Sequence, residues 1–484
     1  MDYLPYIALI YFVAFWWQVI KNPFSIATAE SIDHDFPIMV HSGRAWRKGK
    51  IPEDKVFFRH LTGIKTGVFY PPNILGSWLS SFGGLDYAWK IYVTNVLLHH
   101  WATVLCAFLL FGGGLVGLFG AIAWGFMSYH IKSTLWYAQT FTWITATILA
   151  LEHNQFWLAG ICLGMLILSG HAPFVLYFSY ALVGWGLMTG KATYLTLLVG
   201  FLIGLPQIIP YYRYQKLNIS AKYTAQEKTE IGSLPGWAFL FMFLPIRLRA
   251  YVGKIGHEEW CFYVGPLIMF FALFGKGSCW LLFWLSIMLS LGGGVYVLFS
   301  KFLIRMPYRI GYFTALATVV LGVDGLRTCI QIFQLNNQHL ALLCVLLGIT
   351  MWFSRDFILL EPFNGYGERP SKTFKTPLLE FLEANSGGHK VNNLPFPVYA
   401  GLINRLNVLP YTGGNHDVSV GNFLKVPKLG HAPYDWFYWN EDSDIVDMYD
   451  IGWHVGYKPS DDPKWMKVPC QKALWVNKNV VRVN

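Results

Sequence analysis

Between residues 87 and 211 the chain passes through six apolar stretches, near 87–111, 113–129, 134–151, 155–169, 172–189 and 193–211, with almost nothing between them. The connections are as short as Gly112-Gly113-Gly114, Glu152-His153-Asn154 and Gly190-Lys191. Links of that length make successive helices antiparallel neighbours. Apolar helices packed in this way leave little polar surface for water. The composition agrees: 54% of the chain is hydrophobic and 13% charged, against about 25% charged in an average soluble domain. The chain reads as a polytopic membrane protein.

Further apolar runs lie at 3–20, 261–275, 278–298, 308–326 and 339–353, which brings the expected number of spans to about eleven. The first has no basic leader and no small-residue cleavage site, so it reads as a retained span. Two long polar segments, 21–86 and 212–259, each contain an apolar piece (Tyr70–Phe82 and Trp237–Leu248) shorter than the roughly 20 residues a crossing needs. With an odd number of spans and the N-terminus inside, both segments and the C-terminal tail fall outside. From Ser354 onward Pro, Gly, Asn and charged residues take over, and short strand-like pieces such as Trp453–Tyr457 and Ala473–Val476 are divided by turn signals. The expected fold is an all-α polytopic membrane bundle over 1–353 with a small C-terminal non-cytoplasmic α+β domain over 354–484.

The formal charge of +10 is that of a chain whose basic residues anchor at lipid headgroups, so membrane lipids rather than nucleic acid are the expected partners. Cys106, Cys162, Cys279 and Cys344 fall in apolar runs, where cysteine acts as a small hydrophobe. No C-x-x-C pair marks a zinc or redox site.

The densest chemistry follows the first span. Residues Glu30 to Pro52 hold three carboxylates, two histidines and four cations within 23 residues. Ionisable groups so close to a membrane segment point to a functional site. Asp33 and Asp35 could share a divalent metal such as Mg or Mn, or one could act as a base that the other orients. His41 and Arg44 follow on the same segment. Tyr70-Pro71-Pro72 either seats a re-entrant helix against this loop or is an interfacial aromatic anchor. His171, in a turn on the same expected face, could donate to a phosphate or a sugar hydroxyl, or be merely solvated. Arg305 and Arg309, in Arg-Met-Pro-Tyr-Arg, could grip a phosphate with their planar forks or anchor at lipid headgroups. Asp324, at the opposite helix end, reads as a cap.

Together these motifs resemble the GT-C superfamily of membrane glycosyltransferases, and within it the YfhO-type bacterial membrane proteins. The resemblance rests on the acidic pair Asp33 and Asp35 and on the basic segment that ends in Gly49-Lys-Ile-Pro52. It rests further on Tyr70-Pro71-Pro72, Gly170-His171-Ala172-Pro173 (one residue longer than Gly-His-Pro), Arg305–Arg309 and Asn477–Arg482. It implies sugar transfer from a polyprenyl-phosphate donor lipid to an acceptor on the outer face of a cell inner (plasma) membrane. Asp35 would be the base, Asp33 its orienter or a metal ligand, and Arg305 and Arg309 the phosphate clamp. His41, Arg44, Tyr70 and His171 would contact substrate, and the C-terminal domain would select the acceptor. A second reading is a non-catalytic GT-C-derived subunit of a larger membrane complex, since the chain is shorter than typical members and rich in aromatic residues suited to interfaces. A transporter ranks third, because no internal repeat is evident.

Overall fold

The computed structural model describes residues 3–26, 35–52, 67–127, 130, 135–169, 172–190, 192–215, 233–234, 236–242, 263–292, 310–359, 377–385, 390–392, 407–408, 451–455, 465–467 and 474–477. The described residues fall into two compact units. One comprises 1–26, 94–208 and 223–362, and the other 27–93, 209–222 and 363–484.

The first unit is a bundle of apolar helices. Among the described residues four helices are long and apolar enough to cross a membrane: Leu85–Leu110, Thr193–Pro210, Gly311–Phe333 and Asn337–Ser354. Five shorter apolar helices accompany them: Leu4–Phe15, Gly114–Gly125, Phe156–Leu168, Pro173–Leu187 and Cys279–Ser290. Each apolar run read from the sequence carries a helix among the described residues.

Small residues set how closely these helices approach. Helix α1 (Phe156–Leu168) and helix α2 (Thr193–Gln215) each carry a G-x-x-x-G pair, Gly160/Gly164 and Gly200/Gly204. A Cβ on Gly164 would sit 2.6 Å from Ile203 Cβ, and one on Gly204 would sit 2.5 Å from Ile167 Cγ2. The glycines of each helix thus receive branched side chains of the other, the arrangement that lets apolar helices pack without a hydrophobic driving force. Thr196 Oγ1 donates to the Phe156 carbonyl across the same seam at 3.2 Å. A second close crossing joins Pro266–Ala272 to Gly311–Phe333, where a Cβ on Gly275 would lie 2.4 Å from the Leu321 carbonyl oxygen. Asp324, expected at a helix end, lies inside Gly311–Phe333, and its Oδ2 accepts the Lys276 backbone N–H at 2.8 Å across this crossing.

Aromatic rings and histidines fill the centre of this unit. Trp16 Nε1 donates to His100 Nδ1 at 2.9 Å, and His100 Nε2 meets the Gly125 carbonyl. His130 stacks on Phe141 with ring centres 4.5 Å apart and bonds Tyr312 Oη through Nε2 at 3.4 Å. Thr103 and Thr142 both donate to the His99 carbonyl, at 3.0 and 2.7 Å. Most polar groups in an apolar interior are satisfied in this way.

The second unit contains short helices and a small mixed sheet. Strands β1 (Lys390–Asn392), β2 (Asn407–Val408), β3 (Ile451–Val455), β4 (Trp465–Lys467) and β5 (Leu474–Asn477) form one sheet in the order β2-β1-β3-β5-β4. β1 runs parallel to β2 and β3, whereas β5 runs antiparallel to β3 and β4. β3 and β5 fall on two of the strand-like segments read from the sequence. A short helix, Pro377–Asn385, accompanies the sheet in this unit.

Candidate functional site

The second unit also holds the stretch after the first apolar segment. Helix α3 (Phe36–Arg47) begins directly after Asp35, with Pro37 in its first turn, where proline is tolerated because its missing N–H has no helical partner anyway. Helix α4 (Pro71–Ser80) begins in the same manner after Tyr70, whose backbone is extended. α3 buries Phe36, Pro37, Met39, Val40, Ser42 and Gly43, and α4 buries Asn73, Gly76, Ser77 and Ser80. The two meet at Gly43, where an added Cβ would lie 2.0 Å from the Ser77 carbonyl oxygen. Only glycine permits that crossing. Arg47 ties the far end of α3 to the residues after α4, donating to the Ser81 carbonyl at 3.1 Å and lying 5.1 Å from the Phe82 ring centre.

Asp35 is 4% exposed. An aspartate at a helix N-cap ordinarily accepts a hydrogen bond from the first-turn amides. Asp35 makes no such bond, and its own backbone is helical (φ −65°, ψ −46°). Its Oδ2 instead accepts the phenol of Tyr92 at 3.2 Å. Tyr92 belongs to helix α5 (Leu85–Leu110) and stacks on Trp89, one turn earlier, at 5.1 Å and 28°. Phe36 closes the group edge-on, 5.0 Å from Trp89 and 6.3 Å from Tyr92. None of the three rings is more than 1% exposed. A carboxyl group buried this deeply is costly unless hydrogen-bonded, and the phenol is a bond of that kind.

Of the other candidates, His41, Arg44 and Tyr70 lie among the described residues. His41 and Arg44 are half-buried on α3 and both engage neighbouring groups. They lie three residues apart and share a face, but Arg44 is nine residues beyond Asp35, which on a regular helix is about half a turn round and about 13 Å along. Tyr70 is 0% exposed. Its carbonyl accepts the amides of Asn73 and Ile74 at 2.9 and 3.0 Å, so its backbone caps the start of α4. Asp33, His171, Arg305 and Arg309 lie outside the described residues. Among the described residues no group of three His, Cys, Asp or Glu side chains is placed to hold a metal ion.

Two features were missed in the sequence. Tyr92 carried no motif, since only the fold brings it to Asp35. The adjacent His99 and His100 did carry a signal, because ionisable residues inside an apolar run are rare and usually partnered.

The chain matches no protein-family model and no curated protein. Among solved structures it is similar to ArnT from Cupriavidus metallidurans, determined bound to undecaprenyl phosphate, with 11% identity over 84% of each chain and a TM-score of 0.45.

Proposed function

We propose that the chain is a membrane glycosyltransferase that moves a sugar from a polyprenyl-phosphate donor to an acceptor on the outer face of the membrane. The observation that supports this most is the seating of Asp35. It opens α3 directly after the first apolar segment, is almost wholly buried, and its carboxylate turns from the helix amides to Tyr92. A capping aspartate would face its own helix. One held in this way is positioned for another task.

In this reading Asp35 takes the proton of the acceptor hydroxyl as that oxygen bonds to the anomeric carbon. The bond from that carbon to the phosphate oxygen breaks, and the polyprenyl phosphate leaves as an anion. Asp33 orients Asp35, and Arg305 and Arg309 hold the phosphate with paired charge-assisted bonds. His41, Arg44 and His171 contribute further donors, and membrane lipid accommodates the prenyl tail. A base covered as closely as Asp35 acts on a hydroxyl delivered into the protein, which keeps bulk water from competing. The second unit unites 27–93 with 363–484, and this supports a C-terminal domain that serves the same site.

Replacing Asp35 by Asn preserves size and removes the base. Turnover is expected to fall roughly 100- to 10,000-fold with the unfolding temperature nearly unchanged. Transfer that survives both Asp33→Asn and Asp35→Asn would refute the assignment.

A further inference from the structure

We infer that α4 is a docking surface for the membrane itself: its outward face lies in the lipid headgroup layer, and Lys48 and Lys50 at its rim hold anionic phospholipid. The inference stands independently of the proposed reaction.

The amphipathicity of α4 is inverted. Its buried positions, Asn73, Gly76, Ser77 and Ser80, are all small or polar. Its outward stripe carries Leu75, Trp78 and, just past the helix end, Phe82, which are 57%, 42% and 54% exposed. Steps of three and four residues keep these side chains on one face. A helix in water turns its faces the other way, because apolar area is driven out of water. Trp78 and Phe82 meet edge to face with ring centres 4.6 Å apart, so the exposed rings form one patch. A contiguous apolar patch of this kind marks an interaction surface.

Two further observations identify the occupant. The first is connectivity. Gly83 and Gly84 join α4 to α5, whose 26 residues exceed the roughly 20 that a crossing needs, so the end of α4 stands at a headgroup layer. With 10 residues, α4 is itself only about 15 Å long, so it lies along that layer and does not cross it. The second is charge. Arg47 donates to the Ser81 carbonyl and its guanidinium sits against the Phe82 ring, which brings the basic end of α3 to the edge of the apolar patch. Lys48 and Lys50 follow it and are exposed. Cations beside an aromatic and aliphatic face complement anionic headgroups lying over acyl chains.

The test uses the full-length protein in nanodiscs of phosphatidylglycerol and phosphatidylcholine in equal parts. The photoreactive residue p-benzoylphenylalanine replaces Trp78 in one variant and Leu75 in another, and mass spectrometry of the irradiated, digested protein identifies what each has captured. Both are expected to carry an adduct of phospholipid mass. Native mass spectra of the protein released from the same nanodiscs then give the ratio of bound phosphatidylglycerol to bound phosphatidylcholine. Lys48→Gln/Lys50→Gln is expected to lower that ratio about fivefold, whereas Lys48→Arg/Lys50→Arg should retain it. The absence of lipid adducts at both positions, or adducts to a peptide from a second copy of the chain, would overturn the docking surface. Lipid adducts beside an unchanged ratio in the Gln variant would overturn the hold of the two lysines on anionic headgroups.

Discussion

His130 shows how a single residue ties stability to pH. Burial, reinforced by the nearby His100, holds its imidazole well below the ordinary histidine value, so it is neutral in the folded protein. In the unfolded chain it titrates near 6.5. The unfolded state therefore binds the proton first as pH falls. The stability this residue contributes is complete above about pH 6.5 and is lost as pH falls below that value. His130→Phe should keep the stack on Phe141 and remove the proton. The unfolding temperature of the wild type is expected to drop more steeply than that of His130→Phe between pH 7 and pH 5, and parallel curves would refute the account. At this scale the sequence was only partly legible. The acidic pair was visible as a motif, whereas the bond from Tyr92 to Asp35 joins residues 57 positions apart and has no local signature. Tyr70 was visible too, but not that its side chain is buried and its carbonyl caps the start of α4.

At the scale of elements, small residues decide the packing. The α1–α2 seam is built from Gly160, Gly164, Gly200 and Gly204, each receiving a branched or long aliphatic side chain of the facing helix. Gly164→Leu would force these helices apart, at a cost of about 1–3 kcal/mol, and thermal unfolding in detergent would read it as a lowered midpoint. Ala at the same position should cost less, and an unchanged midpoint for Leu would show that the seam does not bear on stability. A helix on each apolar run was legible in the sequence, because period and spacing are local properties. The crossing at Gly43 was not legible, since nothing near Gly43 announces that Ser77 will press against it. The segments that became β3 and β5 were readable from their aromatic and branched residues, but the parallel pairing of β1 with β3 joins strands far apart in sequence.

At the scale of the whole molecule, two demands are met by different parts of the chain. The apolar helices pair buried polar groups, as at Trp16–His100 and Trp124–Thr145. The second unit draws 27–93 together with residues from much later in the chain, and within it lies the buried carboxylate of Asp35. The sequence reading anticipated the membrane helices from the apolar runs, their spacing and the composition. The joining of an early loop with the C-terminal segment depends on contacts between distant residues, which no window of sequence contains.

The central claim is that this chain holds a polyprenyl-phosphate lipid for transfer at Asp35. Its most direct test is a native mass spectrum of the gently solubilised protein titrated with undecaprenyl phosphate, comparing wild type with Arg305→Ala/Arg309→Ala. The account predicts a bound lipid of that mass at one-to-one stoichiometry in the wild type, weakened at least tenfold in the double variant. A wild type that binds undecaprenyl phosphate no better than a phospholipid of similar charge would contradict it.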